Sequence, residues 1–508
     1  MKRPFIKCTQ CGKKMKEKKY GVNKFCSTKC YLQSNLHKKN MLKLSKRMKL
    51  YGPNKKITAS DKEEYNNKYF SYIFAYWLAD GSKSFCKTKS QYNLIFAVKD
   101  ITEAQSLYKI IKKIKPDIGN MNFKQKNYTV LFSKGQPIEQ KLKQELENPQ
   151  ICFKYPWEFL AGFIDSDGSI DLPYINKKFK GKNVESKAVR INFYNTNNKF
   201  LNLIKKVLYQ LNIPFSFMEE TWQKNDKIWN IKHMKKSYRI MITNRYYLYL
   251  LLKKTLYILY KKERATQYIQ NFEKIYLNMK IPVIEKFVGV QGEQTTQGLI
   301  EYFVRIACCN MRCSICDTKI SWITKGTALK KYGYTIQQIL NDIKKSKCSS
   351  VCLTGGEITC FRNAVTALTI FLKLNNYHIV IQTNGKKFCN TMFSLADQVA
   401  MDMKTPCTGE KSNISFIRKL RPEKDCIKTL ILNQKDLNYA QQIQKKAQKY
   451  KITQILQPCN DVGKDSTQDL IIKLKWIIEQ TTKNPEKWTY VRILPQQHVL
   501  IYGNKRCV

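Results

Sequence analysis

Three cysteines in the run CCNMRCSICDT, Cys309, Cys313 and Cys316, follow one another at x3 and x2 spacing. Thiolates set so closely on a short loop can ligate three irons of a 4Fe-4S cube and leave the fourth iron open. A zinc loop is the other use of this spacing, but it leaves the run Leu353-Thr354-Gly355-Gly356-Glu357 unexplained. The adjacent Cys308 reads as a buried small residue. A second constellation is built from carboxylates. In LAGFIDSDGSI, residues 160–170, an apolar helix with Ala161 and Gly162 runs into Asp165 and Asp167 and stops at Gly168. IFAYWLADG at residues 73–81 echoes it, ending in Asp80-Gly81. Two apolar helices that cross at small residues bring their terminal carboxylates together, where Asp80 and Asp167 could hold Mg²⁺ against phosphate and activate water. Taken alone, Asp80 reads as the end of a buried helix; two copies with repeated flanks favour the metal role. A third group, Cys8-x2-Cys11 and Cys26-x3-Cys30, has the spacing of a structural Zn²⁺ site, with four unconnected cysteines as the other reading.

The elements that must position these groups fall into segments. Residues 1–40 carry the first four cysteines, and 41–65 form a basic connector broken by Gly52-Pro53. Residues 66–278 read as an internal duplication. In the first copy the helix ending at Gly81 precedes a strand at 93–98 and a helix at 102–114. In the second, the helix ending at Gly168 precedes a strand at 189–193 and a helix at 198–211. Further strands are expected at 128–132 and 238–243, with a closing helix at 262–275. Arg190, Asn192 and Tyr194 alternate along one strand face, a spacing suited to reading base edges. From 279 to 508, short strand-like runs at 302–307, 350–354, 378–383, 426–432 and 490–494 alternate with amphipathic helices at 335–344, 364–374, 440–450 and 469–479, which predicts a parallel sheet with crossover helices.

The totals agree with several domains, since 508 residues exceed one ordinary core. Hydrophobic residues at 43% and aromatics at 12% support packed interiors rather than disorder. Lys and Arg outnumber Asp and Glu by 91 to 38, giving a net charge of +53, which points to phosphate and nucleic acid. A coding bias toward A and T enriches Lys too, but it would enrich Glu equally. The opening MKRPFIKC lacks an apolar signal region, and the most apolar later run, 246–260, is broken by Lys253 and Lys254, so no membrane span is expected. Eighteen cysteines without a secretory signal imply reduced thiols and a cytoplasmic setting. The A/T bias suggests a phage or other mobile element.

LAGFIDSDGSI and its echo resemble the signature of LAGLIDADG homing endonucleases, and FCSTKC resembles the zinc knuckles that accompany DNA-cutting proteins. The resemblance implies two pseudo-symmetric αββαββα repeats whose sheets lie along double-stranded DNA, with Asp80 and Asp167 as metal-binding acids and a basic helper, for which Lys261 is the candidate. The first copy departs at Leu78, where the second has Asp165, and at Ala75, where the second has Gly162. The CCNMRCSICDT loop resembles the radical S-adenosylmethionine (SAM) signature. That superfamily implies a partial (β/α) barrel in which the open iron chelates SAM, cleaved to a 5′-deoxyadenosyl radical, and in which Gly355, Gly356 and Glu357 contact its amino group. VGVQGEQTTQG, TGGEIT, QTNG, DMKTP, LQP and RILPQQHVLIYG together resemble 7-carboxy-7-deazaguanine synthase over residues 279–508. This implies conversion of 6-carboxytetrahydropterin to 7-carboxy-7-deazaguanine with Mg²⁺, in a homodimeric domain served by a reductant such as flavodoxin. It assigns Gln291 and Glu293 to the pterin edge, Arg305 to its carboxylate and Thr318 to Mg²⁺, and brings Thr383, Asn384, Lys404, Gln496 and His498 into the site. Here Gln294, Ile358 and Cys308 stand where that family prefers Gly, Pro and Gly. The sequence therefore reads as a multidomain fusion of an α+β endonuclease and an α/β lyase; the other reading makes the front half a non-cleaving, maturase-like DNA- or intron-RNA-binding module.

Overall fold

The computed structural model describes residues 5–7, 14–16 and 66–508, except 87–90, 99, 115, 117–120, 125–128, 133–135, 173, 180–181, 187–188, 226–231, 463, 504, 506 and 508. Cys8, Cys11, Cys26, Cys30 and the basic connector lie outside the described residues. Residues 1–66 and 67–508 are separate compact units. In the first, β1 (Phe5–Lys7) pairs antiparallel with β2 (Lys14–Lys16).

The second unit opens with α1 (Lys68–Asp80), whose residues from Phe70 to Leu78 are all buried, as a helix that is apolar all round must be. It is followed by β3 (Gly81–Cys86), β4 (Gln91–Ala97), α2 (Ile101–Ile114), β5 (Met121–Lys124) and β6 (Thr129–Phe132). The second copy starts with α3 (Pro156–Asp165), which has Pro at its first turn, and continues through β7 (Gly168–Asp171), a β8–β9 hairpin (Tyr174–Phe179 and Lys182–Ser186) and β10 (Arg190–Asn195). It ends with α4 (Asn198–Gln210), β11 (Ser216–Asn225) and β12 (Lys232–Ile242). The two four-stranded sheets run β3-β4-β6-β5 and β7-β10-β12-β11, so corresponding strands occupy the same place in each, all antiparallel.

Helices α1 and α3 pack against each other at a point that admits no side chain. A Cβ on Gly162 would fall 2.2 Å from the Tyr72 carbonyl oxygen and 2.9 Å from the Ala75 Cβ. The aromatic rings of Phe74 and Phe159 close the crossing, 5.9 Å apart. At the far end Gly168 is equally constrained, its absent Cβ lying 2.6 Å from Ile164 Cα.

Helices α5 (Arg245–Thr255) and α6 (Lys262–Tyr276) then lead into a nine-stranded sheet. It comprises β13 (Lys280–Val290), β14 (Ile300–Ile306), β15 (Gly333–Thr335), β16 (Ser350–Gly355), β17 (His378–Thr383), β18 (Gln398–Asp402), β19 (Cys426–Ile431), β20 (Thr453–Pro458) and β21 (Val491–Ile493), in the order β15-β13-β14-β16-β17-β18-β19-β20-β21. From β14 onward all pairs are parallel, which the alternation with helices α7 (Arg362–Leu374), α8 (Asn390–Leu395), α9 (Gln434–Lys449) and α10 (Thr467–Thr482) requires. β13 is antiparallel and joined to α6 through residues 277–279. The apolar run at 246–260 supplies α5, buried against this sheet's helices: Tyr249 lies edge-on to Phe371 of α7 at 5.5 Å, Tyr246 donates to the Asn363 carbonyl and Asn244 to Thr391. Lys253, which interrupts the run, escapes to pair with Glu273. No helix of the described residues is long and apolar enough to cross a membrane.

The crossing of α1 and α3 should tolerate no added atom. Gly162→Ala is expected to lose about 3 kcal/mol, read as an earlier first transition in urea, because the Cβ meets backbone that cannot step aside.

Candidate functional site

The ends of the crossed helices gather the carboxylate motif. Asp165 is fully buried and accepts hydrogen bonds from the Tyr72 hydroxyl at 2.8 Å and from the backbone N–H groups of Tyr260 and Lys261 at 2.6 and 2.9 Å. Burial pushes its pKa up to about 6 although these donors pull it down. It ties α3 to α1 and to the start of α6. Asp167, two residues beyond the end of α3, is half-buried, with its Oδ2 receiving the Asn195 amide at 2.8 Å. Asp80 ends α1, and its side chain lies outside what is described. The Lys261 ammonium donates to the carbonyls of Ile164 at 2.5 Å, Gly168 at 2.7 Å and Ser166 at 3.4 Å, so it clasps the end of α3 and the turn into β7 around Asp167. The strand face expected to read bases is only partly free. Asn192 is fully buried and donates to Ser169 and Asp171, and Arg190 pairs with Asp171 at 3.4 Å; Tyr194 is exposed.

The second constellation lies where ligands of open α/β sheets bind, at the carboxyl ends of the parallel strands. A cavity of about 430 Å³ there is lined by Gln291, Glu293, Arg305, Cys309, Cys313, Cys316, Thr318, Gly355, Gly356, Thr383, Asn384, Lys404, Gln496 and His498. Of the residues expected at this site, only Glu357 is absent from the lining. It lies buried beneath, accepting from the Thr383 hydroxyl at 2.9 Å and the Asn384 N–H at 2.7 Å, and so fixes the two residues that do face the cavity.

Glycine is what lets the β16 turn reach the cysteine loop. Gly355 has φ +132°, and a Cβ there would fall 2.2 Å from Ile306 N; one on Gly356 would fall 2.4 Å from the Cys308 carbonyl oxygen. Backbone bonds from Gly356 to Ile306 and from Glu357 to Cys308 lace the two segments together. The three loop thiols are free, and burial raises the pKa of each, Cys313 to about 11; charge on neighbouring thiols adds to the rise at Cys309 and Cys313, and the Asp317 carboxylate adds to it at Cys316. Among the described residues no three His, Cys, Asp or Glu side chains are grouped to hold a single metal ion. An iron–sulfur cube asks less, since each thiolate meets its own iron. This donor set fits such a cluster.

The opposite wall is a network of buried charge. Lys428 donates to Glu293, and Gln496 donates to the same carboxylate at 2.6 Å. Burial works against ionisation of Glu293, yet Lys428 and His498 outweigh it and hold its pKa at about 2. Lys404 pairs with Asp402 at 2.9 Å, and Asp402 and Glu293 together keep Lys428 charged. Gly292 makes room for His498, whose Nδ1 would lie 2.2 Å from a Cβ. Across the β13–β14 ladder Glu285 faces Arg305 and pairs with its Nε at 2.7 Å, while Arg305 Nη1 donates to Thr318 at 3.4 Å. Sequence reasoning passed over Lys428, Asp402 and Glu285. For Lys428 and Asp402 the signal was a single charge within an otherwise apolar strand; Glu285, beside Lys286 in β13, gave none.

Some curated relatives are matched over nearly their whole length. The 7-carboxy-7-deazaguanine synthase of Bacillus subtilis is 30% identical over 246 residues, covering 45% of this chain and 98% of the relative; that of Thermoplasma acidophilum is 30% identical, covering 44% and 97%. The chain belongs to the 7-carboxy-7-deazaguanine synthase family. The synthase of Clostridium acetobutylicum is 34% identical over 177 residues, 75% of its length. No family model matches. Among solved structures, QueE from Escherichia coli is 20% identical over 44% of this chain and 99% of its own, with a TM-score of 0.34; the homing endonuclease I-DmoI is 16% identical over 39% and 97%, with a TM-score of 0.26.

The synthase region's departures from its family's motifs have a physical signature. Gln294 and Cys308, standing where glycine is preferred, have φ of +63° and +78°, the left-handed region that glycine enters without strain. Gln294 is also fully buried, with neither amide atom hydrogen-bonded. Ile358 is buried without strain of this kind. Strain of about 1 kcal/mol and two unpaired amide atoms at about 1 kcal/mol each or more exceed the roughly 0.8 kcal/mol per methylene that burial returns. Gln294→Gly should therefore stabilise the protein by about 1 kcal/mol, seen as a higher urea midpoint.

Proposed function

We propose that residues 279–508 catalyse radical SAM conversion of 6-carboxytetrahydropterin to 7-carboxy-7-deazaguanine. The observation that carries this is convergence: motifs spread from Gln291 to His498 line one cavity. Cys309, Cys313 and Cys316 would hold the 4Fe-4S cluster, Gly355, Gly356, Thr383 and Asn384 would seat SAM, and Thr318 is the hydroxyl for Mg²⁺. Bound together, cluster and SAM supply a radical able to abstract hydrogen from an unactivated carbon. The remaining work belongs to side chains of this chain. Arg305, its Nε already engaged by Glu285, turns its terminal nitrogens toward the cavity, where a planar fork suits the substrate carboxylate. Glu293, held ionised by Lys428, accepts from N–H groups of the pterin edge across the neutral pH range. Gln496 keeps that carboxylate oriented, and His498 lines the same wall. The buried Glu357 holds Thr383 and Asn384 without touching substrate.

For the front half we propose a LAGLIDADG-type endonuclease acting on double-stranded DNA, with Asp80 and Asp167 as the carboxylates that would hold a divalent cation at the scissile phosphates. The equal strand order of the two four-stranded sheets supports a duplicated fold, and the glycine-tight crossing supports a shared active centre. A second reading, binding without cutting, is favoured by one observation: the Lys261 ammonium is spent on backbone carbonyls and so acts as a positioning group.

Anaerobically reconstituted protein should contain about four irons per chain and turn over SAM and the carboxylated pterin to a deazaguanine, whereas Cys313→Ala should lose both cluster and product. Turnover by Cys313→Ala, or a reconstituted wild type without product, would remove the synthase reading. For the front half, a plasmid carrying the target site should be linearised by the wild type and left intact by the Asp80→Asn, Asp167→Asn double variant. Retention of DNA binding without cutting by the wild type would select the second reading.

A further inference from the structure

Beside the cysteine loop, yet separate from its three thiols, stands a second pair of cysteines. Cys407 lies just beyond β18 and Cys459 just beyond β20, 52 positions apart by their numbers, and both hang on the end of β19: Cys459 N donates to the Ile431 carbonyl, and Cys407 N donates to Asp436, which also receives Leu432 N. The two thiols are free and hydrogen-bond each other. They are not alike. Cys459 is fully buried; Cys407 is half-buried, shares a hydrogen bond with the Thr405 hydroxyl at 3.3 Å, and follows Pro406, which lines a surface recess with Asn438 and Tyr439. The hydrogen bond from Cys459 lowers the Cys407 pKa against the opposing effects of burial and Asp436, while the same bond raises that of Cys459. An accessible, acidified thiol backed by a buried one has the division of labour of attacking and resolving sulfur.

We propose that Cys407 and Cys459 form a redox-active dithiol that closes to a disulfide by exchange with a low-molecular-weight disulfide. The Cys407 thiolate attacks the small disulfide, forming a mixed disulfide and expelling one small thiolate, which takes up the proton Cys407 gave up. The Cys459 sulfur then attacks Cys407 Sγ and expels the second small thiol, carrying its own proton away. The protein loses two electrons and two protons, and the small disulfide becomes two thiols. The site adjoins the cysteine loop, because Ser314 Oγ donates to the Cys407 carbonyl at 2.7 Å and Ser314 N to that of Thr408 at 3.1 Å. Closure thus acts on the segment that holds the loop between Cys313 and Cys316.

The test uses full-length, cluster-loaded protein held anaerobically in graded mixtures of reduced and oxidised glutathione, trapped with N-ethylmaleimide and mapped by peptide mass. A peptide pair joined through Cys407 and Cys459, and released by dithiothreitol, is expected. Alkylation of both thiols at every ratio, or glutathione on Cys407 with Cys459 still alkylated, would overturn the proposal. In Cys459→Ala, loss of the hydrogen-bond donor should slow iodoacetamide alkylation of Cys407 at pH 7.5 about tenfold; an unchanged rate would overturn the assigned roles.

Discussion

Backbone approach closer than any side chain permits is the constraint on which both halves of the molecule depend. At Gly162 it lets two apolar helices meet so closely that a Cβ would overlap the Tyr72 carbonyl. At Gly355 and Gly356 it lets the end of a parallel strand touch the segment leading into the cysteine loop. In each case the approach fixes where chemistry-bearing groups emerge. The carboxylates issue from the ends of the crossed helices, and the thiols from the loop pinned by the glycine turn. A methyl group at these positions would displace the site itself rather than a remote part of the core.

The cavity places opposite charges on one wall under burial that would otherwise suppress them. Glu293, Lys428, Asp402 and Lys404 satisfy one another, so each remains ionised where an isolated charge would be neutralised. In the proposed synthase site their value would be orientation. A carboxylate held by Lys428 on one oxygen and Gln496 on the other has one available geometry for a third partner.

The two halves form a single compact body through residues 67–508. Helix α5 carries Tyr246, Tyr247 and Tyr249 onto α7 and α8, which follow the strand ends that face the cavity. The stack of Tyr249 on Phe272 at 4.1 Å, with Phe371 against both rings, makes this a packed interface rather than a tether.

Many residues of the cavity were legible in the sequence because they belong to short runs of distinctive spacing or turn chemistry, such as CCNMRC, TGGE, QTN and PQQH. The helices at 102–114, 198–211, 262–275 and 364–374 and the strands β4, β10, β14, β16, β17 and β19 were legible within a few residues from periodicity, whereas β3, β5, β7, β11, β13, β18 and β20 among others were not read, since a short strand, one buried on both faces or one carried in a polar ribbon shows no clean alternation. Tertiary structure alone decided which charges meet. Lys428 is one lysine among many until β19 turns it toward Glu293, 135 positions away by number, and Glu357 becomes a support rather than a lining residue only once β17 lies beside β16. It likewise gave Lys261 to the carbonyls of α3 and buried Asn192 under Asp171. Sequence determines what a residue can donate or accept along its own element; the packing of distant elements determines what remains for it to bind, because burial leaves each polar group only the partners that arrive with it.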